Sequence, residues 1–200
     1  MIKSKDRSGW FGASDTTYIM GNYNTDTFRR WWLQKVGVTA NEFSNIYTVA
    51  GTYKEHQILD AVCKCRKDYQ IKIPFFKLRV NLDGDTKDNI YEVKTYKSSF
   101  NKAKYEGQVN VQMLAKKLRI ATIVTYKMEN EDYENFFLPI SRTRLHLHII
   151  KRDREFLGRY LRRVLYLKQC LKRGATPSNE GADSYRATIV ERLAILWRLR

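Results

Sequence analysis

A chain of 200 residues and 43% hydrophobic composition can form one globular domain with a real core, since a domain of this size buries roughly 70% of the surface its unfolded chain exposes. Its 37 Lys and Arg against 21 Asp and Glu give a formal net charge of +16, a balance that favours a polyanionic partner through phosphate neutralisation and counterion release. No stretch approaches the roughly 18 apolar residues of a spanning helix, and the opening "MIKSKDRSGWFGASD" lacks the apolar segment of a secretory signal, so DNA comes before a membrane as partner and a cytoplasmic location is expected.

In chain order, "TFRRWWLQKVG" reads as a short helix with Trp31 and Trp32, and "GTYKEHQILDAVCKCRK" as a second helix with Tyr53, Ile58, Ala61, Val62 and Cys65 near one face. Period-two alternation predicts strands over "YQIKIPFFKLRVNL" and "NIYEVKTYK", joined as a hairpin through the Asp83-Gly84 turn signal, with Asp85 and Asp88 solvated in that turn. Helical spacing returns in "KAKYEGQVNVQMLAKKL", and "RIATIVTYKM" reads as a buried strand. Strand, helix and strand in that order imply a right-handed crossover and a partly parallel sheet. A further strand pair is expected in "NFFLPISRTRLHLHII".

The end of the chain has a different character. Lys151 to Arg173 carries nine Lys or Arg against two acids, with an apolar stripe at helical spacing, and reads as a basic closing helix. The polar stretch "GATPSNEGAD" at 174–183 reads as a hinge. After it, residues 184–200 form an amphipathic helix whose Ile189, Leu193, Leu196 and Trp197 need a surface to bury them, on this domain or on a neighbouring subunit. The fold class is therefore α/β: a mixed sheet flanked by helices over 1–173, with a helical basic C-terminal extension. Cys63, Cys65 and Cys170 leave one corner of a four-cysteine site empty and read as free thiols, and His146 and His148 share one face of a strand without a ligand partner.

The acids of "NLDGDTKDNIYEVKTYK" need a separate explanation in so basic a chain. Glu92 and Lys94 share a strand face with Val93 turned into the core, and Asp83 can lie across from them. Two carboxylates there can share a divalent ion, and Mg2+ suits a site of oxygen ligands completed by water and substrate phosphate. Lys94 would orient or deprotonate a nucleophile. Taken alone, E-x-K on a strand is usually a surface ion pair worth about 0.2–1 kcal/mol, while Glu55 is equally an exposed helix carboxylate, and Ser14 with Asp15 the N-cap of "TTYIMG".

"NLDG…YEVKTYK" followed by "YEGQVNVQML" resembles the D-G…E-x-K and glutamine-helix motifs of the PD-(D/E)xK nuclease superfamily, in particular its phage lambda exonuclease and YqaJ-type viral recombinase branch. "GWFGASD" resembles the branch's G-x-S motif and "GTYKEHQIL" its G-x3-E helix, so the likeness runs in order from about Arg7 to Met128. The resemblance implies Asp83, Glu92, the Val93 carbonyl and Glu55 as metal ligands, Lys94 as the catalytic lysine, and Gln108 facing the site. It also implies a 5′-phosphate pocket from Arg7 and Ser14, completed by amides of Asn81 and Gln108. The activity implied is that of a Mg2+-dependent DNA exonuclease, with Mn2+ able to substitute, working 5′ to 3′ on linear duplex in phage-type recombination. A single-strand annealing protein and a trimeric ring are the implied partners. An endonuclease on the same core, or a DNA-binding protein without catalysis, are the competing readings. This chain departs from the branch in having Asn81-Leu82 before Asp83-Gly84, where S-P is usual, and Asn110 in place of the second glutamine of Q-x-Q.

Overall fold

The computed structural model describes residues 8–39 and 46–199, of which 46–48 by backbone alone. Three helices, α1 (Thr16–Met20), α2 (Asp26–Lys35) and α3 (Ile46–Val62), precede the strands β1 (Arg66–Ile73), β2 (Leu78–Asp85) and β3 (Ile90–Tyr96). There follow α4 (Ala103–Lys116), β4 (Ile120–Lys127), α5 (Asn130–Glu134), β5 (Leu145–Lys151), α6 (Arg154–Arg173), α7 (Asn179–Ser184) and α8 (Ile189–Leu199). Among the described residues the strands make one sheet in the order β1-β2-β3-β4-β5. Only β3 and β4 run parallel, with α4 as the crossover that a parallel pair requires. The expected mixed sheet flanked by helices is the architecture observed.

The sheet separates two apolar clusters. Ile123 and Val124 are neighbours on β4, yet one belongs to the larger cluster with Val109, Met113, Leu161 and Trp31, and the other to the smaller one with Ala50, Ile58, Leu59 and Val93. Alternation along a strand requires this division. So α4 and α6 cover one face and α3 the other. A buried ion pair fixes α3 against α5: Lys54 and Asp132, both fully buried, lie 3.1 Å apart, and Arg144 reaches the same carboxylate at 2.6 Å. Stranding either charge by removing its partner costs about 3–5 kcal/mol, so the rotation of α3, and with it the direction of Glu55, is firmly set.

Several expectations change. "YQIKIPFFKLRVNL" is two antiparallel strands rather than one, folded at the 3-10 turn Pro74–Phe76 with Lys77 left-handed at φ 53, because proline has no N–H to continue a ladder. Gly84 lies inside β2, paired with Lys67 and Tyr91, and the turn to β3 falls at Thr86–Asn89. A Cβ on Gly84 would come 2.7 Å from Leu59 Cδ2 and 2.9 Å from Cys65 Sγ, so this glycine serves the close approach of α3. Asp85 is not solvated: its buried carboxylate takes a two-pronged bond from Arg66, at 3.0 and 2.9 Å, and a further one from Lys116. The second expected strand pair supplies one strand, β5, preceded by irregular backbone containing Pro139.

Asp15 stands at the N-cap position of α1, but its side chain makes no capping bond there. Its buried carboxylate accepts from Gly12 N–H at 2.6 Å and Trp31 Nε1 at 2.9 Å and pairs with Lys35 at 2.6 Å, tying the N-terminal segment to α2. In the stretch 174–183, Asn179 accepts from Tyr23 N–H at 3.0 Å and Asp183 pairs with Arg163 at 3.2 Å. Helix α8 docks through Ile195 and Arg198, whose guanidinium donates to Ala115 O at 2.6 Å. The face formed by Ile189, Leu193, Leu196 and Trp197 is turned outward, each residue at least 59% exposed, so this domain does not bury it. Among the described residues no helix is long and apolar enough to cross a membrane.

Candidate active site

The site lies where β2 and β3 part. Their ladder holds Gly84 to Tyr91 and Asp85 to Ile90 and then ends. Across the resulting gap Asp83 Oδ2 accepts the Val93 N–H at 2.9 Å, so a side chain closes what the ladder leaves open. β3 is central and parallel to β4 at this point, with Glu92 opposite Ile123 and Lys94 opposite Thr125. Val93 goes to the core under α3, which turns Glu92 and Lys94 to the α4 side of the sheet.

Glu92 is 1% exposed and saturated with donors from one side. Lys94 Nζ reaches its Oε1 at 2.5 Å, Gln108 Nε2 donates to the same oxygen, and Gln112 Nε2 donates to Oε2. Gln112 also donates to the Asn81 carbonyl at 3.2 Å, linking α4 to β2. A carboxylate can accept about four such bonds, so Glu92 retains capacity for one more electropositive partner.

The acids here are under strain that a cation would relieve. Burial, then Glu92 and Glu55, hold the Asp83 carboxyl well above the usual carboxylate range against the opposing pull of Lys94 and the Val93 N–H. Burial, then Glu92 and Asp68, push Glu55 up to about 7, with Lys94 pulling it down. Lys94 itself loses by burial but gains more from Glu92 and Asp83, so its ammonium form is favoured. A held ammonium orients and stabilises charge; it does not accept a proton. Of the two roles open to Lys94 on sequence grounds, orientation is the one this geometry supports.

Glu55, from α3, brings a neighbour that the sequence did not mark. Asp68 falls between Lys67 and Tyr69, which pair with Gly84 and Leu82, and is itself left out of the ladder at φ 52; its carboxylate meets His56 Nε2 at 3.0 Å. Ligand atoms of Glu55, His56 and Asp68 all lie within 4.8 Å of one another. Sequence reasoning had no handle on Asp68, whose position depends on where the strand folds back. Gln112 did carry a signal, as it stands four residues after Gln108 and so shares its helix face.

The remaining predicted residues are less concentrated. Asn81 is on β2 with its Oδ1 accepting from Gln70 at 2.9 Å. Ser14 is exposed on the 3-10 turn Ala13–Asp15, which packs against α4. Arg7 lies outside the described residues. The carboxylates of Asp83, Glu92 and Glu55, two of them raised by burial and then by the acids beside them, are oxygen donors of the kind that a hard divalent cation such as Mg2+ or Mn2+ takes.

No protein-family model matches the chain, and no curated protein matches it by sequence. Its fold is shared with solved structures described as exonucleases. The alkaline exonuclease LHK-Exo from Laribacter hongkongensis superposes with a TM-score of 0.62 at 14% identity, over 84% of this chain and 90% of that one. The same exonuclease in complex with dAMP gives 0.63 at 18% identity, again over 84% and 90%. A phage-related exonuclease from Haemophilus somnus 129PT gives 0.64 at 16% identity, over 83% and 96%. At these identities the likeness is one of fold.

Proposed function

We propose that the chain is a metal-dependent deoxyribonuclease, an exonuclease that digests linear duplex DNA from the 5′ end in phage-type recombination inside a bacterial host. The observation that carries this reading is the Asp83, Glu92 and Lys94 cluster at the parting of β2 and β3, on a fold shared with proteins described as exonucleases. Mg2+, or Mn2+ in its place, would be held by Asp83, Glu92, the Val93 carbonyl and Glu55, and when bound would supply Lewis-acid polarisation of the phosphate and a water of lowered pKa. Gln108 and Gln112 fix the Glu92 carboxylate from α4 and so fix the direction in which its remaining lone pairs point. Lys94, held as an ammonium, would orient the attacking water and balance charge on the phosphate oxygens. Arg7, Ser14 and Asn81 would bind a terminal 5′-phosphate, a dianion that suits a guanidinium with neutral donors. The outward apolar face of α8 supports a role in assembly, as a trimer or with an annealing protein.

Incubation with linear, nicked and covalently closed DNA, in Mg2+ and in EDTA, tests the reading. Digestion of 5′-phosphorylated linear duplex in Mg2+ alone is expected. Efficient cutting of closed circles would move the assignment to an endonuclease, and no cutting of any form would leave a binding protein.

A further inference from the structure

At the other end of the β1-β2 hairpin, where Ile73 meets Leu78, a cavity of about 650 Å3 opens between the hairpin turn, the end of α2 and the last turns of α6. Lys77, Lys168 and Lys172 line it together with the N-terminal Ser8 and Gly9, and none of its described lining residues is acidic. Lys77 immediately precedes β2, six residues before Asp83, a separation of about 20 Å at the rise of a strand. Among the described residues, none of these three lysines has a carboxylate partner. Uncompensated positive charge converging on one concavity is costly unless an anion enters it.

Two of these lysines, Lys77 and Lys168, have an aromatic ring beside them, on Trp10 and Phe75, which flank the cavity rather than line it. Lys168 Nζ donates to the Phe75 carbonyl at 2.7 Å and lies 4.7 Å from the centre of the Phe75 ring, which is 38% exposed. Lys77 lies 5.3 Å and Lys72 5.5 Å from the centre of the half-buried Trp10 ring. Lys77 holds a left-handed backbone position, φ 53, where glycine or asparagine would be more comfortable. Point charges beside ring faces are what a flexible strand requires: ammonium groups follow its phosphates, and any unstacked base can lie on an aromatic face. Duplex DNA keeps its base faces inside the stack and could use only the charges.

We infer that this cavity is a second nucleic-acid site, one that takes single-stranded DNA, with phosphates on Lys77, Lys168 and Lys172 and bases on Phe75 and Trp10. The inference extends the DNA-processing reading, and binding measured in EDTA separates its failure from a failure of cleavage.

The test is fluorescence anisotropy of a short labelled oligothymidylate against salt, in EDTA. Lys168→Gln with Lys172→Gln removes two phosphate contacts and should lower the slope of log affinity against log salt by about 1.4, at about 0.7 per single-strand contact. Phe75→Ala keeps every charge and should weaken binding about fivefold or more. Arg154→Gln with Arg162→Gln, two exposed cations elsewhere on α6, should leave the slope unchanged. Thermal melting and Mg2+-dependent cleavage of a short duplex by the lysine variant should match the parent chain. An unchanged slope in the lysine variant, or an equal fall in the arginine control, would overturn the inference, the second because it indicates diffuse charge. Competition by thymidine monophosphate or inorganic phosphate at the oligonucleotide's own concentration would also overturn it, by showing a site for free phosphate.

Discussion

Replacing Gln112 by leucine, of similar volume, isolates one polar linkage at the centre of the site. Gln112 is fully buried, and its Nε2 serves the Asn81 carbonyl and Glu92 Oε2 together. Losing a bond to a neutral acceptor costs about 1 kcal/mol and one to a carboxylate about 2. The Gln112 Oε1 has no partner where it is buried, so its removal relieves about 1 kcal/mol of desolvation. The net loss is about 2 kcal/mol, or a fall of about 4–8 °C in Tm for a domain of this length. Melting followed by circular dichroism in EDTA should show this fall, and saturating Mg2+ should reduce it, because the ion replaces part of what Glu92 has lost. Cleavage should drop at least tenfold as Glu92 loses its orientation. A Tm within about 1 °C of the parent chain, a difference below about 0.5 kcal/mol, together with unchanged cleavage would refute the argument that α4 positions this carboxylate.

Three further outcomes follow from neighbouring residues. Asp85→Ala removes the buried partner of Arg66 and Lys116, both of which can reach water, so chemical denaturation should show a loss of about 1–3 kcal/mol while Mg2+ affinity stays unchanged. Gly84→Ala drives a methyl into Leu59 and Cys65 and should cost about 1–3 kcal/mol, with cleavage falling because α3 carries Glu55. Because Glu55 is held up at about 7, it is protonated below that pH and the proton competes with the ion. Calorimetric Mn2+ affinity should therefore rise with pH through about 7, and Glu55→Gln should remove the share of that rise that Glu55 contributes, while Asp83, whose carboxyl is also held up, keeps the rest.

The longer helices and the parallel crossover through α4 were legible because their apolar spacing is regular and tertiary packing agrees with it. The hairpin was misplaced for a specific reason: alternation runs unbroken through "YQIKIPFFKLRVNL", and only Pro74 marks where the chain turns back. Reading Gly84 as a turn residue gave weight to a local dipeptide habit, whereas Leu59 and Cys65 press against it and explain why it is glycine. Asp83, Glu92, Lys94 and Gln108 could be found because they lie on two adjoining strands and one helix in fixed order. Asp68 could not, since its place beside Glu55 and His56 depends on where the strand folds back. Likewise, amphipathic spacing in α8 implied a buried stripe, and no sequence pattern told which face Arg198 would anchor.

The most direct test of the account is the rate at which Asp83→Ala and Lys94→Ala digest 5′-phosphorylated linear duplex in Mg2+, measured beside Mn2+ binding on the same samples. The account predicts that Asp83→Ala loses both metal and cleavage, and that Lys94→Ala still binds metal without turnover. Both variants should keep DNA affinity within a few-fold, because the basic surface supplies it. Cleavage by Asp83→Ala at a rate near that of the parent chain would contradict it.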